Sequence, residues 1–310
     1  SDLRPTISPV SYCKGTTATA LTATGTNLLW YTAATGGVGS ATAPTPSTIA
    51  AGTTTYYVSQ TSASGCEGPR AAVTVTINPT PVAPTASRAT ICVNNSTTLT
   101  ATAPSPTYTW YDASTGGTLL YTGASDTTPN LSATTTYYVE STSGAGCVGP
   151  RTSVTVTIAP NLVVNAGLDT SICNGSSVNL SVSPNGAGYS YVWSPAGSLS
   201  DGSISNPVAT PSTTTTYTVG VTSPTGCTGS DMVMITVNPI PAAPATSPVS
   251  YCQGTTAAAL TATGTNLLWY TAATGGVGSA TAPTPSTATA GTTTYYVSQT
   301  SASGCESPRA

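Results

Sequence analysis

An all-β array of four tandem β-sandwiches, the last lacking its final strand, is the fold class this 310-residue sequence predicts. Three observations carry the prediction. A unit of roughly 80 residues recurs four times, with the stretch from Cys13 to Ala71 returning almost letter for letter from Cys252 to Ala310. Each copy carries two cysteines at nearly constant separation, 13/66, 92/147, 173/227 and 252/305. Period-two runs rich in Thr, Val and Tyr fill the copies, and no helical period appears anywhere.

The repeats divide the chain at 1–79, 80–160, 161–239 and 240–310, and their ends coincide with proline-rich joints at Asn78–Pro84, Ala159–Asn161 and Asn238–Pro244. Proline fixes φ and favours extended backbone, so joints of this kind act as semi-rigid spacers. With strand residues rising about 3.3 Å each, a unit is on the order of 35 to 40 Å long and four in line span roughly 150 Å.

Within the first repeat, Ala18–Thr24 and Asn27–Thr32 read as successive strands, and Gly36-Gly37 as a turn. Thr53–Gln60 is a further strand, and Ala72–Ile77 places Val73, Val75 and Ile77 on one face. Between these strands, Ala43–Ser47 and Ala50–Gly52 are punctuation that leaves room for one or two weak strands. Trp30, Trp110, Trp193 and Trp269 follow the first cysteine of their repeats by 17, 18, 20 and 17 residues, the place of a core anchor in the third strand of an immunoglobulin-like sandwich. The alternative role for a recurring Trp, an exposed platform on which sugars stack, is the weaker one.

Composition excludes several function classes. The chain has no His, so the usual general base near neutral pH is missing, and its nine carboxylates occur singly. Spacings for calcium loops or zinc sites are absent, and neither a catalytic residue, a metal ligand nor a cofactor is implied. Six basic residues cannot build the cationic surface that nucleic acid requires, and no apolar run approaches the length of a membrane span. An even number of regularly spaced cysteines reads as disulfides and hence as an oxidising, extracellular setting.

All eight cysteines, Cys13, Cys66, Cys92, Cys147, Cys173, Cys227, Cys252 and Cys305, are expected to be disulfide-bonded. Pairing within each repeat comes first, because small secreted domains are usually self-contained. A second connectivity stays open. The two cysteines of a repeat fall at turns on opposite ends of a sandwich, about 20 Å apart, while a disulfide needs Cα atoms within about 7 Å. Bonds Cys13–Cys147, Cys92–Cys227 and Cys173–Cys305 would then staple neighbours and leave Cys66 and Cys252 over, free to link chains head to tail.

The fourth repeat stops at the counterpart of Ala71, before any equivalent of Ala72–Ile77. One reading is an open sheet edge that accepts a strand from another chain, with Ser1, Asp2, Leu3, Arg4, Pro5, Thr6 and Ile7 as the possible donor. The other, placed first, is a segment cut from a longer array, consistent with the 239-residue shift from Cys13 to Cys252.

The third repeat differs most, with Tyr191-Val-Trp-Ser-Pro195, Asn206-Pro-Val-Ala-Thr-Pro211 and Thr213–Val219. This pattern resembles PKD-like repeats, and Trp-Tyr with Thr-Thr-Tyr-Tyr-Val in the other three resembles immunoglobulin-like repeats, both of giant surface proteins of Bacteroidota-type bacteria. The resemblance covers essentially the whole chain. It implies export to the bacterial cell surface and a non-enzymatic adhesive, filament or spacer role. It also implies partners that are other copies of the chain or adjoining repeats, and surface glycans. Asp126-Thr127-Thr128 resembles the short O-glycosylation signal of such bacteria, which makes Thr127 a possible modification site. A second functional reading is a carbohydrate-binding or spacer array of a secreted polysaccharide-degrading enzyme, with Tyr12, Tyr31, Tyr111, Tyr121, Tyr251 and Tyr270 as the aromatic candidates.

Overall fold

The computed structural model describes residues 4–310, and among these every regular element is a β-strand. The chain separates into two compact units, 1–160 and 161–310.

In the first unit, the first repeat forms a sheet in the order Val10–Cys13, Ala71–Asn78, Gly52–Gln60, Leu28–Tyr31. Val10–Cys13 runs parallel to Ala71–Asn78, and the other neighbours are antiparallel. Alternation along Ala71–Asn78 turns Ala71, Val73, Val75 and Ile77 inward, where they meet Leu21, Trp30 and Val58. Burying each of those Val or Ile side chains contributes about 1.5–3 kcal/mol. The second repeat repeats the plan with a five-stranded sheet, Ala89–Cys92, Thr152–Ala159, Thr135–Thr142, Thr107–Tyr111 and Leu119–Thr122. A three-stranded sheet of Ser125–Thr127, Thr98–Thr102 and Thr85–Ala86 completes that repeat, and Trp110, Leu99, Val139, Val154 and Val156 fill its core.

Ala18–Thr24, expected as a strand, is not one. It is held at Leu21, whose N–H donates to the Pro44 carbonyl, at Thr24, which bonds Thr6, and at Thr19, whose N–H donates to the Tyr12 hydroxyl. The physical reason lies opposite it: Pro44 and Pro46 have no N–H to offer a ladder. In the second repeat the facing segment Ser125–Thr127 lacks proline, and Thr98–Thr102 pairs with it as a strand.

In the second unit, Thr170–Cys173 lies parallel to Thr228–Asn238, which continues through Thr215–Thr222 to Ser190–Ser194. Trp193, Tyr217, Val219, Val221, Val233 and Ile235 are its buried centre. The fourth repeat retains Leu267–Tyr270 paired with Tyr296–Gln299 and Ala245–Thr246 paired with Ala262–Thr263. Gly291–Tyr295 is not a strand here, although its near-copy Gly52–Tyr56 in the first repeat is. That copy has Val73, Val75 and Ile77 beside it, and only the mutual bonds of Val297 with Ala310 remain of the equivalent ladder.

Thr6 exchanges backbone hydrogen bonds with Thr24, and Ile7 packs on the first repeat's own core. The N-terminal segment considered as a strand donor is thus engaged within its own repeat at those two residues. Ser1, Asp2 and Leu3 lie outside the described residues.

Candidate functional site: the joint between repeats

Two features recur at the ends of the sandwiches, a cysteine pair and an arginine clamp. In the first three repeats the first cysteine ends the strand that runs parallel to the last strand and sits in register with that strand's last residue, Cys13 with Asn78, Cys92 with Ala159 and Cys173 with Asn238. The proline-rich linker leaves from that same point. The second cysteine sits in a Ser-x-x-Gly-Cys turn at the other end of the last strand. Gly65 N–H closes that turn onto the Ser62 carbonyl, the Cys66 N–H donates to Ser62 Oγ, and Gly65 has φ +81°. Glycine takes that left-handed conformation without steric cost. The same bonds recur around Cys147, Cys227 and Cys305.

An eight-residue strand, Ala71–Asn78, therefore separates Cys13 from Cys66, roughly 23 Å at the usual rise. The pairing expected first, within a repeat, does not occur at these cysteines. Cys13 bonds Cys147 with Cα atoms 5.5 Å apart, and Cys173 bonds Cys305 at 5.6 Å. Cys92 and Cys227 are disulfide-bonded as well. Cys66 and Cys252, expected with the others as disulfide partners, are exposed free thiols.

Each of these two staples runs beside a linker that is itself fastened. Ser141 Oγ donates to the Val82 carbonyl and Thr152 Oγ1 to the Pro84 carbonyl, so the linker from Pro79 lies on the second repeat. Gly149 is required where it crosses, since a Cβ there would stand 2.7 Å from the Pro81 carbonyl oxygen. In the second unit Gln299 Nε2 donates to the Ala242 carbonyl. The joint thus has two struts, a hydrogen-bonded proline-rich segment and a disulfide.

The arginine clamp is a group of residues that the sequence reading did not bring together. Arg70, Arg151 and Arg309 lay their guanidinium groups 3.3, 3.5 and 3.2 Å from the ring centroids of Tyr31, Tyr111 and Tyr270. Each also donates to the loop after that tyrosine: Arg70 to Ala33, Arg151 to Ala113 and Gly116, Arg309 to Ala272 and Gly275. A carboxylate completes each group. Glu67 accepts from Tyr31 and Ser59 at 2.5 and 2.6 Å, and Glu306 accepts from Tyr270 and Ser298 at 2.6 and 2.5 Å. In the second repeat the carboxylate comes from the facing strand: Glu140 stands at the Ser59 position, Val148 at the Glu67 position, and Arg151 Nε meets Glu140 at 2.9 Å.

Hydrogen bonds from Ser59 and then Tyr31 hold the Glu67 carboxyl below the usual carboxylate range, and Ser298 and Tyr270 do the same for Glu306. Burial, followed by Glu140, pushes the Tyr111 phenol up. Glu67 and Glu306 are thus held as carboxylates and Tyr111 as a neutral phenol at neutral pH. The sequence signal for it is present: Trp-Tyr at 30–31, 110–111 and 269–270 accompanies Pro-Arg at 69–70, 150–151 and 308–309, and both are missing from the third repeat.

Trp30, Trp110, Trp193 and Trp269 are all buried, with Trp110 Nε1 donating to the Gly123 carbonyl and Trp193 Nε1 to the Ile204 carbonyl. Of the six tyrosines considered as a sugar-stacking surface, Tyr31, Tyr111 and Tyr270 have an arginine over one face. Thr127 is exposed at the end of Ser125–Thr127, its hydroxyl 3.3 Å from that of Thr98. No helix of the described residues is long and apolar enough to cross a membrane.

Immunoglobulin-like repeats joined by disulfides define the class. The chain belongs to the family described as "Ig-like domain CHU_C associated", which matches residues 3–79, 81–160 and 241–310. Domains of this kind are typically non-catalytic, and the disulfides fit a secreted or cell-surface protein. The third repeat lies outside the matched residues. No curated protein matches the chain. Among solved structures, the I-band fragment I67–I69 from titin is similar at 13% identity and TM-score 0.35, covering 76% of this chain and 97% of its own. Fibronectin(III)-like modules of Clostridium thermocellum CbhA reach 12% identity and TM-score 0.29, over 49% and 90%. A 1.5-MDa bacterial ice-binding adhesin reaches 14% and 0.33, over 60% and 75%.

Proposed function

We propose that the chain is a non-enzymatic, extracellular structural segment, a rod-like part of a bacterial cell-surface adhesin or filament. Four immunoglobulin-like sandwiches at 1–79, 80–160, 161–239 and 240–310 follow one another in this reading, the third of PKD-like type. Its partners are other repeats of the same kind. The observation that carries the reading is the position of the disulfides: Cys13–Cys147 and Cys173–Cys305 connect repeats instead of closing them. A bond inside a domain stabilises that domain, whereas a bond across a linker limits bending between domains. In the chain-entropy account a closure of 134 residues is worth about 5 kcal/mol against the unfolded chain. Loops held by the arginine clamps and linkers held by Ser141 and Thr152 serve the same end.

Electron microscopy of the unreduced and reduced protein tests the reading. Particles of roughly 150 Å with a narrow spread of bend angles, widening on reduction, are expected from four units of strand-based length. An unchanged spread would contradict it. Retention on insoluble polysaccharide would instead favour a carbohydrate-binding array.

A further inference from the structure

We infer that Cys66 and Cys252 are complementary halves of the inter-repeat staple, so that Cys252 of one copy of the chain bonds Cys66 of another, head to tail. The inference rests on the stapled-array reading and names the partner of its two free thiols.

Each free thiol is a copy of a bonded one. Cys66 ends the turn Ser62-Ala-Ser-Gly-Cys66-Glu67, and Cys305 ends the identical Ser301-Ala-Ser-Gly-Cys305-Glu306, which is bonded to Cys173. Both turns close on the same bonds, from cysteine N–H to serine Oγ at 3.1 Å. Cys252 follows Val249-Ser-Tyr251 as Cys13 follows Val10-Ser-Tyr12, and Cys13 is bonded to Cys147. Thr16 and Thr255 cap the two with the same hydroxyl bond, to the Cys13 and Cys252 carbonyls at 2.8 and 2.7 Å.

The two staples obey one rule. A cysteine ending a first strand bonds a cysteine in the Ser-x-x-Gly-Cys turn of the following repeat. Cys252 is the sequence counterpart of the first kind, although 249–252 forms no strand here, and Cys66 lies in a turn of the second kind, so they match each other and neither matches itself. Exposure agrees: the bonded turn cysteines Cys147 and Cys305 are 0% exposed, while Cys66 in the same turn is open to solvent. A mating repeat has a surface there to cover. The chemistry is thiol–disulfide exchange with a small-molecule or protein disulfide as oxidant. One thiolate attacks the oxidant disulfide and expels one thiol. The second thiolate then attacks the mixed disulfide and expels the other, so two protein thiols and one disulfide give one protein disulfide and two thiols.

The test uses the full chain with C66S, which retains Cys252, and C252S, which retains Cys66, in a glutathione redox buffer read by non-reducing gel and intact mass. Alone, each variant is expected to remain largely a single chain of 30.5 kDa. Mixed in equal amounts, they are expected to give a disulfide-bonded heterodimer at least several-fold above the sum of both symmetric dimers, and the unsubstituted chain a ladder of multiples. A mixture that gives the statistical 1:2:1 proportions, or no dimer, overturns the inference. Peptide mapping of Cys13–Cys147 in the same samples separates the two claims: that bond present without heterodimer sinks the inference alone, and its absence sinks the stapled-array reading.

Discussion

Arg70, Arg151 and Arg309 each face a tyrosine ring, a loop carbonyl and a carboxylate at once, and the three contacts need different parts of the guanidinium: its flat face, its Nη edge and its Nε or charge. Lysine has no flat face and no fork, so Arg→Lys is not conservative here. In the second repeat both partners of the pair are mostly buried, with side chains 14% and 13% exposed. Arg151→Ala leaves Glu140 without its cation and is expected to cost the second repeat about 2–3 kcal/mol, seen as a lower denaturant midpoint. The clamps of the first and fourth repeats respond to pH. Glu67 and Glu306 have carboxyl pKa values lowered by the Ser and Tyr hydroxyls. A carboxylate lowered in the folded state stabilises it above the unfolded value, near about 4.3, and that contribution fades as pH falls through the folded value. Thermal scans from pH 7 to 3 should show the unsubstituted protein losing stability below about pH 5 more steeply than E67Q/E306Q, with both carboxylates near the surface keeping the difference modest.

At the scale of single elements, the strand Ala71–Asn78 decides how much of a repeat forms. Where it is present, Gly52–Gln60 and Val10–Cys13 are both strands. Beside the near-identical 291–299 only its first residue has a counterpart, Ala310, and the edge from Gly291 to Tyr295 is unpaired. Fusing a copy of Ala72–Asn78 after Ala310 should convert that edge to strand, protect the amides of Thr292–Tyr296 from hydrogen exchange and raise the melting temperature of the fourth repeat. Failure of those amides to slow would show that the edge is not limited by its missing neighbour. Strands such as Thr53–Gln60 and Ala72–Ile77 were legible because alternation survives in one dimension. Ala18–Thr24 alternates equally well and forms no strand, because two prolines on the segment opposite, 23 residues away in sequence, remove the donors it needs. Tryptophan burial was legible from its nearly constant offset, 17 to 20 residues after the first cysteine. The clamp was not, because its carboxylate changes place between repeats, from Glu67 in the loop before the last strand to Glu140 on the strand Thr135–Thr142, while serving the equivalent tyrosine and arginine.

Across the whole chain, even cysteine spacing was the most misleading signal and strand length the best corrective. A separation of 53 to 55 residues suggests self-contained domains, yet an intervening strand of eight residues holds the two sulfurs of a repeat far apart. The distance argument points to the neighbour, and the register of Cys13 beside Asn78, where the chain leaves for the next repeat, supplies the reason. The double variant C13S/C147S should keep the folded cores of both repeats, since neither cysteine fills the clusters around Trp30 and Trp110, while losing the second strut of the joint. Small-angle scattering would register this as a wider distribution of maximum dimension with unchanged far-ultraviolet circular dichroism. Tandem mass spectrometry of an unreduced proteolytic digest tests the central claim most directly. The account predicts peptides that join Cys13 to Cys147 and Cys173 to Cys305, with Cys66 and Cys252 either alkylated before reduction or joined to each other between chains. Peptides joining Cys13 to Cys66 and Cys252 to Cys305 would contradict it and return the molecule to a string of self-closed domains.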